Sequence, residues 1–187
     1  MMFELAVKMS VFVLVSLWLV YISRKPLRQP ASHGFYRFFA WEAILALFLL
    51  NVDAWFHDAF SWHQIISWIL LMASAILVLH AVWLLRKVGQ ADARRTGEPL
   101  YELEKTTELV EVGAYRTIRH PMYTSLLLLA WGIFFKSPSW LAGLLAAAAT
   151  AFLVMTARAE EAENLRFFGL AYREYMRRTR RFIPYLW

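Results

Sequence analysis

The chain has 187 residues, 60% of them hydrophobic and 17% aromatic, with mean hydropathy +0.44 and a formal net charge of +6. Soluble domains carry about 45–50% apolar residues, so the excess excludes an ordinary soluble core and points to one membrane domain, 1–187, with a bilayer as solvent. The absence of Cys excludes disulfides, thiolate catalysis and thiolate metal sites, while basic residues beside apolar runs suit anionic lipid better than nucleic acid.

Residues 5–22 are apolar apart from Lys8, Ser10, Ser16 and Tyr21, long enough to span a hydrocarbon core of ~30 Å. Their flanking charges, Arg24, Lys25 and Arg28, follow the run instead of preceding it, which argues for a membrane helix and against a cleaved leader. A second span is expected over 38–56. It contains Glu42 and Asp53 on nearly one face, with His57 four residues beyond Asp53. A third covers 65–85 and holds His80. Together 1–87 form an amino-terminal group of three helices.

Residues 88–119 are polar, carry alternating charges, and read as an ordered excursion outside the bilayer, partly extended near Glu111. A fourth apolar run, 122–135, is only about 21 Å long as a helix, marginal for a span. Pro121 suits its first turn, where a missing N–H is harmless. The fifth span, 140–157, has Ala and Gly for close helix packing. The tail, 158–187, reads as an amphipathic interfacial helix with Leu165, Phe168, Tyr172 and Met176 on one face. The expected architecture is therefore all-α: about five transmembrane helices plus a carboxyl-terminal amphipathic helix. The connectors 24–37 and 86–121 and the tail are rich in Lys and Arg, whereas 57–64 has none. The positive-inside rule puts the basic segments, and the carboxyl terminus, in the cytosol and the amino terminus outside, in a cell inner membrane or endomembrane.

A hairpin of the last two spans returns Glu160 and Glu161 to the level of Arg119, His120 and Tyr123. Charge at membrane depth is costly and marks function or a partner. Two readings stay open on the residues alone: an interfacial salt bridge between Arg119 and an acid, with His120 as a helix cap, or a polar binding site. His33, His57, His63 and His80 show no paired spacing, so no metal is expected.

The pattern Gly113-x-Tyr115-x-x-x-Arg119-His120-Pro121-x-Tyr123, then Glu160-Glu161, then Phe168-Gly169-x-x-Tyr172-x-x-Tyr175 and Arg181-x-x-Pro184, resembles the isoprenylcysteine carboxyl methyltransferase family and its phospholipid methyltransferase relatives. The resemblance covers about residues 108–184; the first three helices match only in hydropathy. The chain differs from many relatives at Thr156, Thr124 and Gly89-Gln90.

The resemblance implies an integral membrane methyltransferase using S-adenosylmethionine, bound by region 88–187 on the cytosolic side. Tyr115, His120, Tyr123 and Glu161, with Glu160, are the implied cofactor contacts. Physically, Glu161 can pair with the methionyl ammonium, Arg119 or His120 with its carboxylate, and Tyr and Pro121 surfaces can flank adenine or the sulfonium. The acceptor is expected to be a lipid or a lipidated molecule. A carboxylate acceptor favours a clamp from Arg173, Arg178 or Arg181; an amine acceptor needs a base, for which Glu42 and Glu161 are the candidates. The catalytic set is thus Glu161, Arg119 and Glu42. The alternatives are a membrane reductase using a nicotinamide dinucleotide and a non-catalytic adaptor.

Overall fold

The computed structural model describes residues 2–88 and 109–184, and these are helical, with no strand among them. The helices are α1 (Met2–Ile22), α2 (Arg24–Leu27), α3 (His33–Asn51), α4 (Trp62–Val88), α5 (Pro121–Phe134), α6 (Trp140–Phe168) and α7 (Leu170–Arg178). Short 3₁₀ turns follow α3 and precede α5. Most of the expected polar excursion falls at 89–108, outside the described residues.

α1, α3 with its following turn, α4 and α6 are long and apolar enough to cross a membrane; α5 has fourteen residues. Contacts at the two ends of the molecule tie these helices together. At the far end, Asn51 Nδ2 donates to the Ile133 carbonyl at 2.9 Å, and His63 Nδ1 lies 3.0 Å from the Phe135 carbonyl. Lys8 pairs there with Asp53. At the near end, His33 of α3 bonds Glu163 of α6. α5 reaches the far end at Phe134, and the segment before it lies folded into the protein, with Tyr115, Ile118 and His120 buried.

The helix ends follow local chemistry. Ser32 Oγ accepts from the Phe35 amide at 3.2 Å, so α3 begins at His33, five residues earlier than hydropathy alone indicates. Ser139 caps α6 in the same way through the Ala142 amide. α6 then runs unbroken for 29 residues, about 43 Å at 1.5 Å per residue. Glu160, Glu161 and Glu163 therefore belong to α6 and stand beyond the span, rather than starting a separate tail helix. The break comes at Gly169, with φ +59°, a conformation that a side chain would strain. The amphipathic helix is accordingly shorter than expected and begins at Leu170, burying Tyr172 and Tyr175.

α3 packs along α6, with Ala43, Ile44 and Leu47 against Ala142, Ala146 and Ala149, where small side chains allow close approach. α4 is joined to α5 by Ser67 Oγ donating to the Gly132 carbonyl and Ser74 Oγ to the Ser125 carbonyl, both at 2.7 Å. Lys136, the one basic residue of the 136–139 turn, is 1% exposed. Its Nζ donates to Gln64 Oε1 at 2.9 Å and sits 3.3 Å from the centre of the Trp68 ring. α1 packs along α3, where Ser16 Oγ donates to Glu42 Oε2 at 2.7 Å, and touches α2 at its end.

Candidate cofactor site

The site is built by a short two-stranded contact between the segment entering α5 and the segment leaving α7. Arg180 N donates to the Thr117 carbonyl at 3.0 Å, Arg119 N to the Arg180 carbonyl at 2.7 Å and His120 N to the Arg181 carbonyl at 3.2 Å. Tyr175 Oη donates to the Tyr115 carbonyl at 2.7 Å, fastening α7 over the 3₁₀ turn Gly113–Arg116. Gly113 is required at that turn. Its φ is +58°, and a Cβ there would stand 2.6 Å from Leu84 Cδ1 and 2.7 Å from His80 Nε2.

Behind this ribbon, Glu161 is 4% exposed and is met by three basic side chains. Arg119 Nε donates to Oε1 at 2.8 Å, Arg181 Nη2 to Oε2 at 2.6 Å, and His120 Nε2 lies 3.4 Å from Oε1. Arg119 Nη1 also donates to the Thr179 and Met176 carbonyls, at 2.6 and 3.2 Å. A buried carboxylate between two guanidiniums is well satisfied, and truncating any one partner leaves charge uncompensated.

Glu160 differs. It lines an open cleft with Arg119, His120, Asn164 and the aromatic side chains Tyr115, Tyr123, Phe168, Tyr172 and Tyr175. Its carboxylate lies 3.8 Å from His120 Nδ1 and its side chain keeps 26% exposure. The His120 ring stacks on Tyr123 with centroids 5.4 Å apart. Leu85, Val110 and Met122 supply an apolar wall from α4 and the start of α5. Burial pushes the Tyr172 and Tyr175 phenols well above the usual range, so both remain neutral hydrogen-bonding groups at physiological pH.

The structure thus brings Tyr115, Arg119, His120, Tyr123 and Glu160 to one cleft. Pro121 is buried at the first turn of α5. Glu161 and Arg181 meet each other behind the cleft wall. Arg178 reaches out to Glu111 at 2.6 Å, and Arg173 is exposed; neither lines the cleft. Glu42 lies on the α1 face of α3, bonded by Ser16, and is not brought to the cleft either. The salt-bridge reading of Arg119 holds for Glu161. Asn164 and Tyr172 lay outside the expected site set. Asn164 was legible as the residue one helical turn beyond Glu160, on the same face. The buried His33–Glu163 pair carries no such signal, because its halves lie 130 residues apart.

Apolar helices of spanning length, closed at one end by a polar, aromatic cleft, fit an integral membrane protein with an open cleft at its surface. Residues 62–170, from α4 to the first residue of α7, match the phospholipid methyltransferase family, and the chain belongs to that family of membrane methyltransferases. The match takes in the whole of α4 and leaves out α1, α3 and the Arg181 segment. No curated protein and no solved structure matches the chain.

Proposed function

We propose that the protein transfers a methyl group from S-adenosylmethionine to a lipid-like amine or carboxylate at the cytosolic face of its membrane. The observation that carries this reading is the cleft itself, in which an accessible carboxylate, Glu160, faces Arg119 and His120 across a floor of aromatic rings. That donor set suits the zwitterionic amino-acid end of the cofactor. Glu160 accepts from the ammonium, and Arg119 and His120 face the carboxylate. Arg119 Nη2 makes no hydrogen bond among the described residues and is the nitrogen left for this task. Phe168 and Tyr172 offer faces for adenine. The cleft has room for about 90 Å³, below the roughly 300–1,000 Å³ of small-molecule sites. Occupancy by the whole cofactor therefore requires the aromatic side chains to part.

Bound S-adenosylmethionine supplies a sulfonium-activated methyl group. The chain's own task is alignment and exclusion of water, which Tyr123, Met122 and the ribbon serve. An acceptor enters past the apolar wall of Leu85, Val110 and Met122. Neither acid is assigned as a base for an amine acceptor, because Glu161 is held by two guanidiniums and Glu160 is committed to the cofactor's ammonium. Glu161, Arg119 and Arg181 act as positioning groups for the ribbon.

The test is transfer of a radiolabelled methyl group in membranes containing the protein, with label separated into lipid and protein fractions and calorimetry for cofactor binding. Labelled lipid, with S-adenosylmethionine bound and reduced nicotinamide dinucleotide not bound, is the expected result. Binding of neither cofactor, with no label above background, sinks the reading.

A further inference from the structure

The ribbon that closes the cleft also bounds a separate groove, lined by Arg116, Thr117, Arg177, Arg178 and Arg180, which shares no residue with the cleft. We propose that this groove binds the phosphate of an anionic membrane lipid. The 3₁₀ turn delivers Arg116, the end of α7 delivers Arg177 and Arg178, and the backbone bridge between Ile118 and Arg180 fixes the fourth guanidinium beside them. Only two of the four have acidic partners. Arg178 Nη2 donates to Glu111 at 2.6 Å and Arg177 Nη1 to Glu174 at 3.1 Å, while Arg116 and Arg180 are exposed and make no ion pair among the described residues. Among the described residues the groove thus keeps an excess of two positive charges, and a planar guanidinium fork matches phosphate geometry. Its volume, about 340 Å³, falls within the range of small-molecule sites.

The occupant is lipid because the same tail exposes large apolar side chains. Phe167, Leu170 and Ile183 are 45%, 75% and 47% exposed, and Ile183 follows Arg180 by three residues. Guanidiniums interleaved with exposed apolar groups, on a short helix continuing from a membrane span, are the signature of an interfacial segment. The Arg180 carbonyl accepts from the Arg119 amide, and the next residue, Arg181, holds Glu161. A phosphate in the groove therefore pins the strand on which the cleft depends.

Native mass spectrometry of the full-length protein in detergent, titrated with phosphatidylglycerol or phosphatidylcholine, reads this directly and does not depend on methyl transfer. Phosphatidylglycerol is expected to be retained in preference to phosphatidylcholine. Arg116→Gln with Arg180→Gln weakens that retention by about fivefold for each guanidinium removed. Lys25→Gln with Arg28→Gln, which removes equal charge from the other basic connector, leaves it unchanged. Arg116→Lys with Arg180→Lys, which keeps the charge and loses the fork, recovers part of it, showing that the loss is not one of folding. Retention unaltered in Arg116→Gln/Arg180→Gln, or equal loss in the two charge-removing pairs, overturns the proposal. Displacement of the lipid by an equal concentration of inorganic phosphate overturns the lipid assignment.

Discussion

Glu160 and Glu161 are adjacent and chemically identical, but a helix turns them about 100° apart, and that rotation gives them different work. Glu160 looks into the cleft; Glu161 is 6% exposed at its side chain and sits between Arg119 and Arg181. Glu160→Gln keeps the shape and removes the charge that meets an ammonium. A charged hydrogen bond is worth about 1.5–3 kcal/mol, so cofactor affinity is expected to fall by about 10- to 100-fold, with the melting temperature unchanged. Glu161→Gln instead leaves two guanidiniums facing an uncharged amide. Breaking a buried pair costs about 3–5 kcal/mol, and the variant is expected to melt earlier. Calorimetry and thermal denaturation of both variants decide the matter; equal loss of affinity with equal stability in the two would show that the helix does not separate their roles. The sequence brought both acids to the mouth but could not say which faced inward. α6 is apolar on all sides below them, and its Ala-rich stretch gives no phase from which to read a rotation.

The apolar spans were legible at the level of elements because each needs about 20 apolar residues to cross a bilayer. Their ends were not, since they depend on single groups such as Ser32, Ser139 and Gly169 that hydropathy does not weigh. The α3–α6 seam shows the consequence. By starting at His33, α3 brings a fully buried imidazole to Glu163, whose other carboxylate oxygen accepts the His33 amide at 3.2 Å. Two turns further along α3, Ala40 packs with Tyr123, Leu153, Ala157 and Phe182, directly beneath His120. The pair therefore sets the register of the wall on which the cleft rests. His33→Ala and Glu163→Ala are each expected to lower stability by about 1–3 kcal/mol, the cost of leaving the other buried group without its hydrogen bond, with a coupling above about 1 kcal/mol in the double variant. Additive losses in thermal denaturation would mean that the two residues act independently. Gly113→Ala is expected to destabilise the 3₁₀ turn by at least about 1–2 kcal/mol, from its left-handed backbone alone.

At the scale of the whole molecule, α5 decides the topology. With fourteen residues it is too short to be identified as a span by length, yet it joins the ribbon at 117–120 to the 136–139 turn, and that turn contacts the 51–64 segment through Asn51 and Gln64. Five passes put the basic 24–37 connector and the arginine-rich tail on one side; four would put them on opposite sides. Burial of Lys136 in its cage of Trp55 and Trp68 removes the one basic charge that stands against the five-pass arrangement. Because the chain has no Cys, single substitutions Arg28→Cys, Phe60→Cys and Arg177→Cys, all at exposed positions, report sidedness without interference. In right-side-out membranes an impermeant maleimide is expected to label Phe60→Cys at once, and Arg28→Cys and Arg177→Cys only after permeabilisation. Labelling of Arg28→Cys and Arg177→Cys from opposite sides rules out the α5 crossing. Labelling of both from outside inverts the orientation and moves the cleft away from the cytosolic pool of S-adenosylmethionine.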